Sequence, residues 1–148
     1  RQYSELEITR RFVGYPQYLR TFTSCNSYFW LPRIKQRLMR KNYWCKECPK
    51  CMFMFACLSA FLPKKEMISI FGANLYAKKR LLPFVRRTLG IEGFKPLDCV
   101  GEPEEMIVAM HYASLRKEYA QDAAMQIFNE HFPSTYNFAN LKEKVFDA

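Results

Sequence analysis

The chain has 148 residues, 49% of them hydrophobic and 16% aromatic, which excludes a disordered segment and bounds it at one domain. Its net charge of +9 is unevenly placed: residues 1–91 carry 18 Lys and Arg against four acids, and residues 92–148 carry five against ten. A basic half implies an anionic ligand, a nucleic acid, or an acidic neighbouring domain.

Ser4-Glu5-Leu6-Glu7 forms a capping-box pattern before Ile8, Phe12 and Val13, so a short helix is expected to end near Gly14. Tyr15-Pro16 then turns the chain. Leu19 to Thr23 has the β-branched and aromatic character of a short strand. Residues 28–44 mix aromatic and basic side chains without a clean period, among them Tyr28, Phe29, Trp30, Arg33, Arg37, Tyr43 and Trp44. Such a stretch can stack on nucleic acid or roof a metal site.

From Pro49 to Ala60 the pattern is helical and apolar nearly all round, so this element is expected to be buried and to stop by Pro63. Met52 to Ala60, the longest apolar run, is too short to cross a membrane. A helix over Lys64 to Phe71 ends at Gly72. Asn74 caps a longer stretch, Leu75 to Leu89, which Pro83 should kink or split. After a loop over 91–102, Pro103, Glu104 and Glu105 start a helix through Leu115, with the acids favoured at its positive end. A further helix covers Ala120 to Phe132, and Asn140 to Ala148 reads as a short tail. The start, Arg1-Gln2-Tyr3-Ser4-Glu5, is polar and does not resemble a signal peptide, so a cytoplasmic protein is expected. Without an initiator Met, the chain reads as part of a longer protein.

Cysteine spacing carries the chemistry. Cys45, Cys48 and Cys51 form a C-x2-C-x2-C run, and Cys25 lies 19 intervening residues upstream. A tetrahedral zinc ion takes four thiolates at about 2.3 Å, so a three-cysteine knuckle calls for a distant fourth ligand, which Cys25 supplies. Clustered thiols without an export signal point to metal rather than to disulfides. Zn(II) held by four cysteines has no open position, so its role is structural. Bacterial iron–sulfur motifs run C-x2-C-x2-C-x3-C-P; here Cys57 follows after five residues and no proline comes next, which favours zinc. Lys46 and Lys50 would offset the charge of the thiolates. Cys57 reads as a buried hydrophobe. Cys99 has no base beside it, since His111 and His131 both fall in helices. No catalytic residue is assigned. Arg10, Arg11, Lys50 and Glu102 are candidates for contact with an anion or substrate.

The order Glu7-Ile8-Thr9-Arg10, Thr21-Phe22-Thr23-Ser24-Cys25 and Cys45-x2-Cys48-x2-Cys51 resembles the C-terminal zinc motif of PP-loop ATP pyrophosphatases. A longer string runs through Trp44-Cys45-Lys46-Glu47-Cys48-Pro49-Lys50-Cys51, Phe61-Leu62-Pro63, Phe71-Gly72-Ala73-Asn74-Leu75 and residues 95–102. It is similar to the C-terminal part of a family of peptidoglycan-precursor epimerases. The resemblance covers roughly residues 4–110.

The resemblance implies the mainly α C-terminal part of a PP-loop-type α/β enzyme, with a zinc knuckle and little strand. Residues 1–62 would end the PP-loop-like region, and residues 63–148 would form a helical extension. The implied activity is ATP-dependent inversion of the terminal L-glutamate of UDP-MurNAc-L-Ala-L-Glu. The full-length enzyme would use ATP and Mg(II), supplied through an N-terminal PP-loop region that this chain lacks. The chain alone would then be inactive. Two other readings stay open: a PP-loop enzyme acting on a nucleobase or tRNA, and a non-catalytic, zinc-stabilised nucleic-acid-binding module.

Overall fold

A computed structural model describes residues 2–30, 32, 43–97 and 100–146. The protein is mainly α, and no strand occurs among the described residues. Its helices are α1 (Glu5–Phe12), α2 (Asn26–Trp30), α3 (Pro49–Ser59), α4 (Lys64–Phe71), α5 (Leu82–Thr88), α6 (Pro103–Leu115), α7 (Ala123–His131) and α8 (Phe138–Phe146). Residues 31 and 33–42 of the aromatic and basic stretch, and Cys99, lie outside the described residues.

The centre of the molecule is α3. All eleven of its residues are buried, as a helix apolar all round requires. The longer α6 runs against it, and α1, α4 and α5 pack on its other sides. Further surface of α6 and α1 is covered by α8, while α7 packs on α5, on α6 and on the turn over Leu75–Ala77. One continuous apolar cluster joins Leu6 of α1, Phe53 and Phe55 of α3, Met106 and Met110 of α6, and Val145 of α8.

Local signals set several boundaries. Gly72 ends α4 at φ 73°, in the left-handed region that glycine enters without steric cost. Pro83 splits the 75–89 stretch: two 3-10 turns, Leu75–Ala77 and Lys79–Leu81, precede α5, and Pro83 sits in the first turn of α5. A ring that cannot donate a hydrogen bond is tolerated only there.

Three expectations are corrected. Leu19 to Thr23 is not a strand; a 3-10 turn over Pro16–Tyr18 leads into it, and the amides of Thr21 and Phe22 donate back to the Tyr18 carbonyl. The segment has no partner strand among the described residues, so its backbone bonds close locally, while Leu19 is buried. The 120–132 helix begins later, at Ala123, because the chain turns through 117–122 with Lys117 at φ 60°. The tail is not irregular: it forms α8, with Phe138 and Val145 buried.

Candidate metal centre

Four thiols converge where two chain segments meet. The first segment brings Cys25 just before α2. Thr23 fixes it: its hydroxyl donates to the Tyr43 carbonyl at 2.7 Å and accepts from the Cys25 amide at 3.1 Å. The second segment brings Cys45 and Cys48 in a tight turn, and Cys51 from the first turn of α3. Lys46 adopts φ 64° inside that turn, which lets the backbone fold round the sulfurs. Cys48 is the N-cap of α3 and Pro49 follows, so the same residues that stop the turn start the helix.

The Sγ atoms of Cys25, Cys45, Cys48 and Cys51 all lie within 4.8 Å of one another. Cys25 and Cys48 are 4.0 Å apart, and Cys45 and Cys51 are 3.6 Å apart. Four thiolates at about 2.3 Å from one tetrahedral ion would be about 3.8 Å apart, so the donors are spaced for a single metal ion. Three amides already point at sulfur: Cys45 N–H to Cys25, Glu47 N–H to Cys45, and Cys51 N–H to Cys48, each at 3.4 Å. These bonds stabilise thiolate charge and fix each ligand's orientation.

The thiols titrate as a set. Hydrogen bonds from its neighbours hold Cys45 far below the ordinary thiol range and favour one thiolate there. The neighbouring sulfurs push Cys48 and Cys51 well above it, because each further charge would meet the first. Cys25 is raised by Cys45 but lowered by Cys48 and Cys51, and settles at about 7. Four thiols so close cannot all ionise on their own; a bound cation would supply the compensating charge. Cys25 and Cys51 are fully buried, and Phe22, Trp44 and Phe71 of the same apolar cluster pack edge-on and then tilted, with ring centroids 5.2 and 4.6 Å apart. The cysteines are therefore positioned to bind a metal.

The other candidate residues fall elsewhere. Lys50 is 7% exposed in the first turn of α3, with its ammonium 5.7 Å from the Phe53 ring. Cys57 is buried in α3, where loss of water raises its thiol pKa, and it is not part of the cluster. Arg10 and Arg11 share one buried partner: Nε of each donates to the Glu7 carboxylate, at 2.6 and 2.7 Å. Those bonds hold Glu7 below the usual carboxylate range despite its burial. Because Glu7 faces the arginines, it does not close a reciprocal capping box; Ser4 caps α1 from its own segment, accepting from the Glu7 amide.

Glu102 borders a cavity of about 630 Å³ at the start of α6, whose wall includes Tyr3. Arg11 lies 4.2 Å over that same ring, so Glu102 and Arg11 are brought to one end of the molecule. Glu105 has a role that the sequence reading missed. It is 7% exposed and bridges two helix starts, accepting from the Glu5 amide at 2.7 Å and the Glu102 amide at 2.9 Å. A partner 100 residues away leaves no local sequence signal.

Helices packed round an apolar centre, with a four-thiol site at the head of the buried helix, define a small metal-site helical domain. The chain belongs to the MurL C-terminal domain family, whose profile matches residues 21–143. It is similar to proteins named UDP-N-acetyl-alpha-D-muramoyl-L-alanyl-L-glutamate epimerase. With one from a Micromonospora species it shares 34% identity over 146 residues, covering 99% of this chain and 31% of the relative. With another from Salinispora tropica it shares 43% over 110 residues, covering 74% and 23%. A third, from Xanthomonas oryzae pv. oryzae, shares 35% over 128 residues, covering 86% and 28%. The chain thus spans less than a third of each relative. No solved structure matches it at a significant level. Among the described residues, no helix is long and apolar enough to cross a membrane.

Proposed function

We propose that the chain is the C-terminal part of an ATP-dependent epimerase that converts the terminal L-glutamate of UDP-MurNAc-L-Ala-L-Glu to D-glutamate. The observation that carries this reading is the family match over residues 21–143, which spans all four cysteines. In this reading ATP activates the glutamate α-carboxylate as an acyl adenylate, with release of pyrophosphate. The adenylate acidifies the α-proton, a base removes it and a proton returns to the opposite face, and water then hydrolyses the adenylate to release AMP and the free carboxylate. ATP and Mg(II) would be held by a PP-loop-type region outside this chain. Residues 1–62 would close that region and residues 63–148 would extend it.

The metal in this reading is Zn(II), bound by Cys25, Cys45, Cys48 and Cys51. Sulfurs within 4.8 Å of one another support a single ion over a cluster, whose separate irons spread their thiolates. With four protein ligands the ion fastens the segment before α2 to the start of α3 and leaves no position for substrate. Arg10, Arg11 and Glu102, at one end of the molecule, would face the anionic substrate. Lys50, buried against Phe53, would act through the packing of α3.

The test is turnover of UDP-MurNAc-L-Ala-L-Glu by the longer protein that contains this chain. ATP- and Mg(II)-dependent appearance of D-glutamate with pyrophosphate is expected, and none from the 148-residue chain alone. No inversion by the longer protein, together with salt-sensitive tRNA binding, would replace the reading with a nucleic-acid substrate.

A further inference from the structure

We propose that the loop at 91–97, with the chain start beside it, is a docking face for the polypeptide that precedes residue 1 in the longer protein. The proposal rests on the reading of this chain as a C-terminal part. Across Phe94-Lys95-Pro96-Leu97 the apolar ends point out and the charge is drawn in. Phe94 is 94% exposed and Leu97 is fully exposed. Lys95, between them, is 33% exposed, and its ammonium rests on Glu102 at 2.8 Å. Water alone favours the opposite arrangement. A single exposed apolar residue is ordinary, but two on one short loop beside an open cavity mark a contact surface.

The display is fixed by the chain's own bonds. Gly90 and Gly93 take left-handed φ of 71° and 65°, which glycine enters without steric cost. The Ile91 amide donates to the Arg86 carbonyl at 2.9 Å, and a Cβ on Gly93 would meet the Arg87 stem at 3.9 Å. The loop is thus laid against the end of α5, with Pro96 stiffening the stretch between Phe94 and Leu97.

Position names the occupant. Lys95 lines the cavity of about 630 Å³ at the start of α6, and so do Tyr3 and Ser4. The loop and the chain start therefore share one end of the molecule, and polypeptide before residue 1 leaves from that end. More than two thirds of each relative's length lies outside the part that this chain covers. Buried Val100 and Val145 give the cavity an apolar floor, and half-buried Tyr3 edges it.

Charge separates this occupant from others. The lining sets Glu102, Glu104 and Glu105 against Lys95 and Lys144. Lys95 is paired with Glu102 and Lys144 with Glu104, while Glu105 accepts the amides of Glu5 and Glu102. Neither lysine of that lining is left over for an anionic ligand or an anionic bilayer. An apolar centre inside a rim of both signs is the anatomy of a contact between protein surfaces. Covalent connection raises the local concentration of the partner, so a modest face suffices.

The test is hydrogen exchange, read by mass spectrometry, on the metal-loaded longer protein and on the metal-loaded 148-residue chain. The 91–97 stretch should exchange about tenfold more slowly, or slower still, in the longer protein. Phe94→Ser/Leu97→Ser should return the stretch in the longer protein to the rate of the chain alone. The same variant should leave the melting and metal content of the 148-residue chain unchanged. Equal exchange in the two proteins, or loss of metal or melting temperature in the variant chain, would overturn the face. Protection that grows with protein concentration would assign it to a second copy. Sedimentation of the longer protein with phosphatidylglycerol vesicles, abolished by the double variant, would assign it to a bilayer; either result overturns the proposal. A protected loop in a protein that does not invert glutamate rejects only the epimerase reading, and inversion with an unprotected loop rejects only the docking face.

Discussion

Replacing Gly101 by alanine should be among the most damaging single-methyl changes in this chain. The backbone is not the obstacle, since Gly101 is not in the left-handed region. Space is: a Cβ there would overlap Oε2 of Glu105 outright and stand 2.5 Å from Cζ of Phe53. Phe53 is fully buried in α3, so the carboxylate must move. Moving it leaves the amides of Glu5 and Glu102 without their acceptor. Hydrogen bonds to a charged group contribute about 1.5–3 kcal/mol each, so the two together put the loss at about 4 kcal/mol. For a chain of this length, that lowers Tm by about 12 °C. Urea unfolding of the metal-loaded chain, followed by circular dichroism, measures it. The double variant Gly101→Ala/Glu105→Ala should lose less than the sum of the singles, because the clash disappears with the carboxylate. A Gly101→Ala cost under about 1 kcal/mol, or strict additivity in the cycle, would refute the argument.

Cys48→Ser should drop bound metal well below one ion per chain and lower Tm, because metal binding and folding of the turn are one process. Cys57→Ser should keep one ion per chain yet lose stability, since it sets a hydroxyl inside a fully buried helix; elemental analysis with calorimetry separates the two cases. Iron with labile sulfide in anaerobically purified protein would overturn zinc. Lys46→Gly should stabilise the chain by about 0.5–1 kcal/mol by removing left-handed strain, and Lys46→Val should cost more than that, both read from urea midpoints. Burial and the nearby Lys142 hold His111 below its ordinary 6.5, so its contribution is present above about pH 6.5 and lost as pH falls through the lowered value. His111→Gln should flatten stability against pH in that window, measured above the pH at which metal is released.

What the sequence made legible was whatever a single residue's chemistry dictates. Thiol spacing named the four cysteines that converge, because few residue types suit a soft metal. Gly72 and Pro83 marked their boundaries because backbone sterics act locally. The α8 segment was harder, although Phe138, Leu141 and Val145 have helical spacing. A short amphipathic stretch becomes a helix only when α6 and α1 are there to cover its apolar side. Glu105 read as an acid suited to a helix dipole, but its partner Glu5 is reached only through the fold. Lys50 read as a charge beside the knuckle, and burial of α3 on every side carries it inward too. Lys95 and Lys144 drew no notice, since nothing in their neighbours' sequence shows that they meet at one cavity.

The charges round α3 explain why a four-thiol site suits the place where it sits. A helix buried on all faces keeps its dipole in a low-dielectric surround, so both ends need compensation. At the N-terminus the Cys48 sulfur accepts the Cys51 amide, and the thiolate set brings negative charge to the positive end. At the C-terminus Arg116 donates to the carbonyls of Ser59, Ala60 and Leu62 at 2.6, 3.0 and 3.1 Å. A guanidinium is fixed in its charge, whereas the full set of four thiolates persists only while a cation holds it. A metal bound there would therefore do more than join two segments. It would set the charge state at the head of the helix on which α1, α4, α5 and α6 all pack, so its loss should loosen the core and not only the turn.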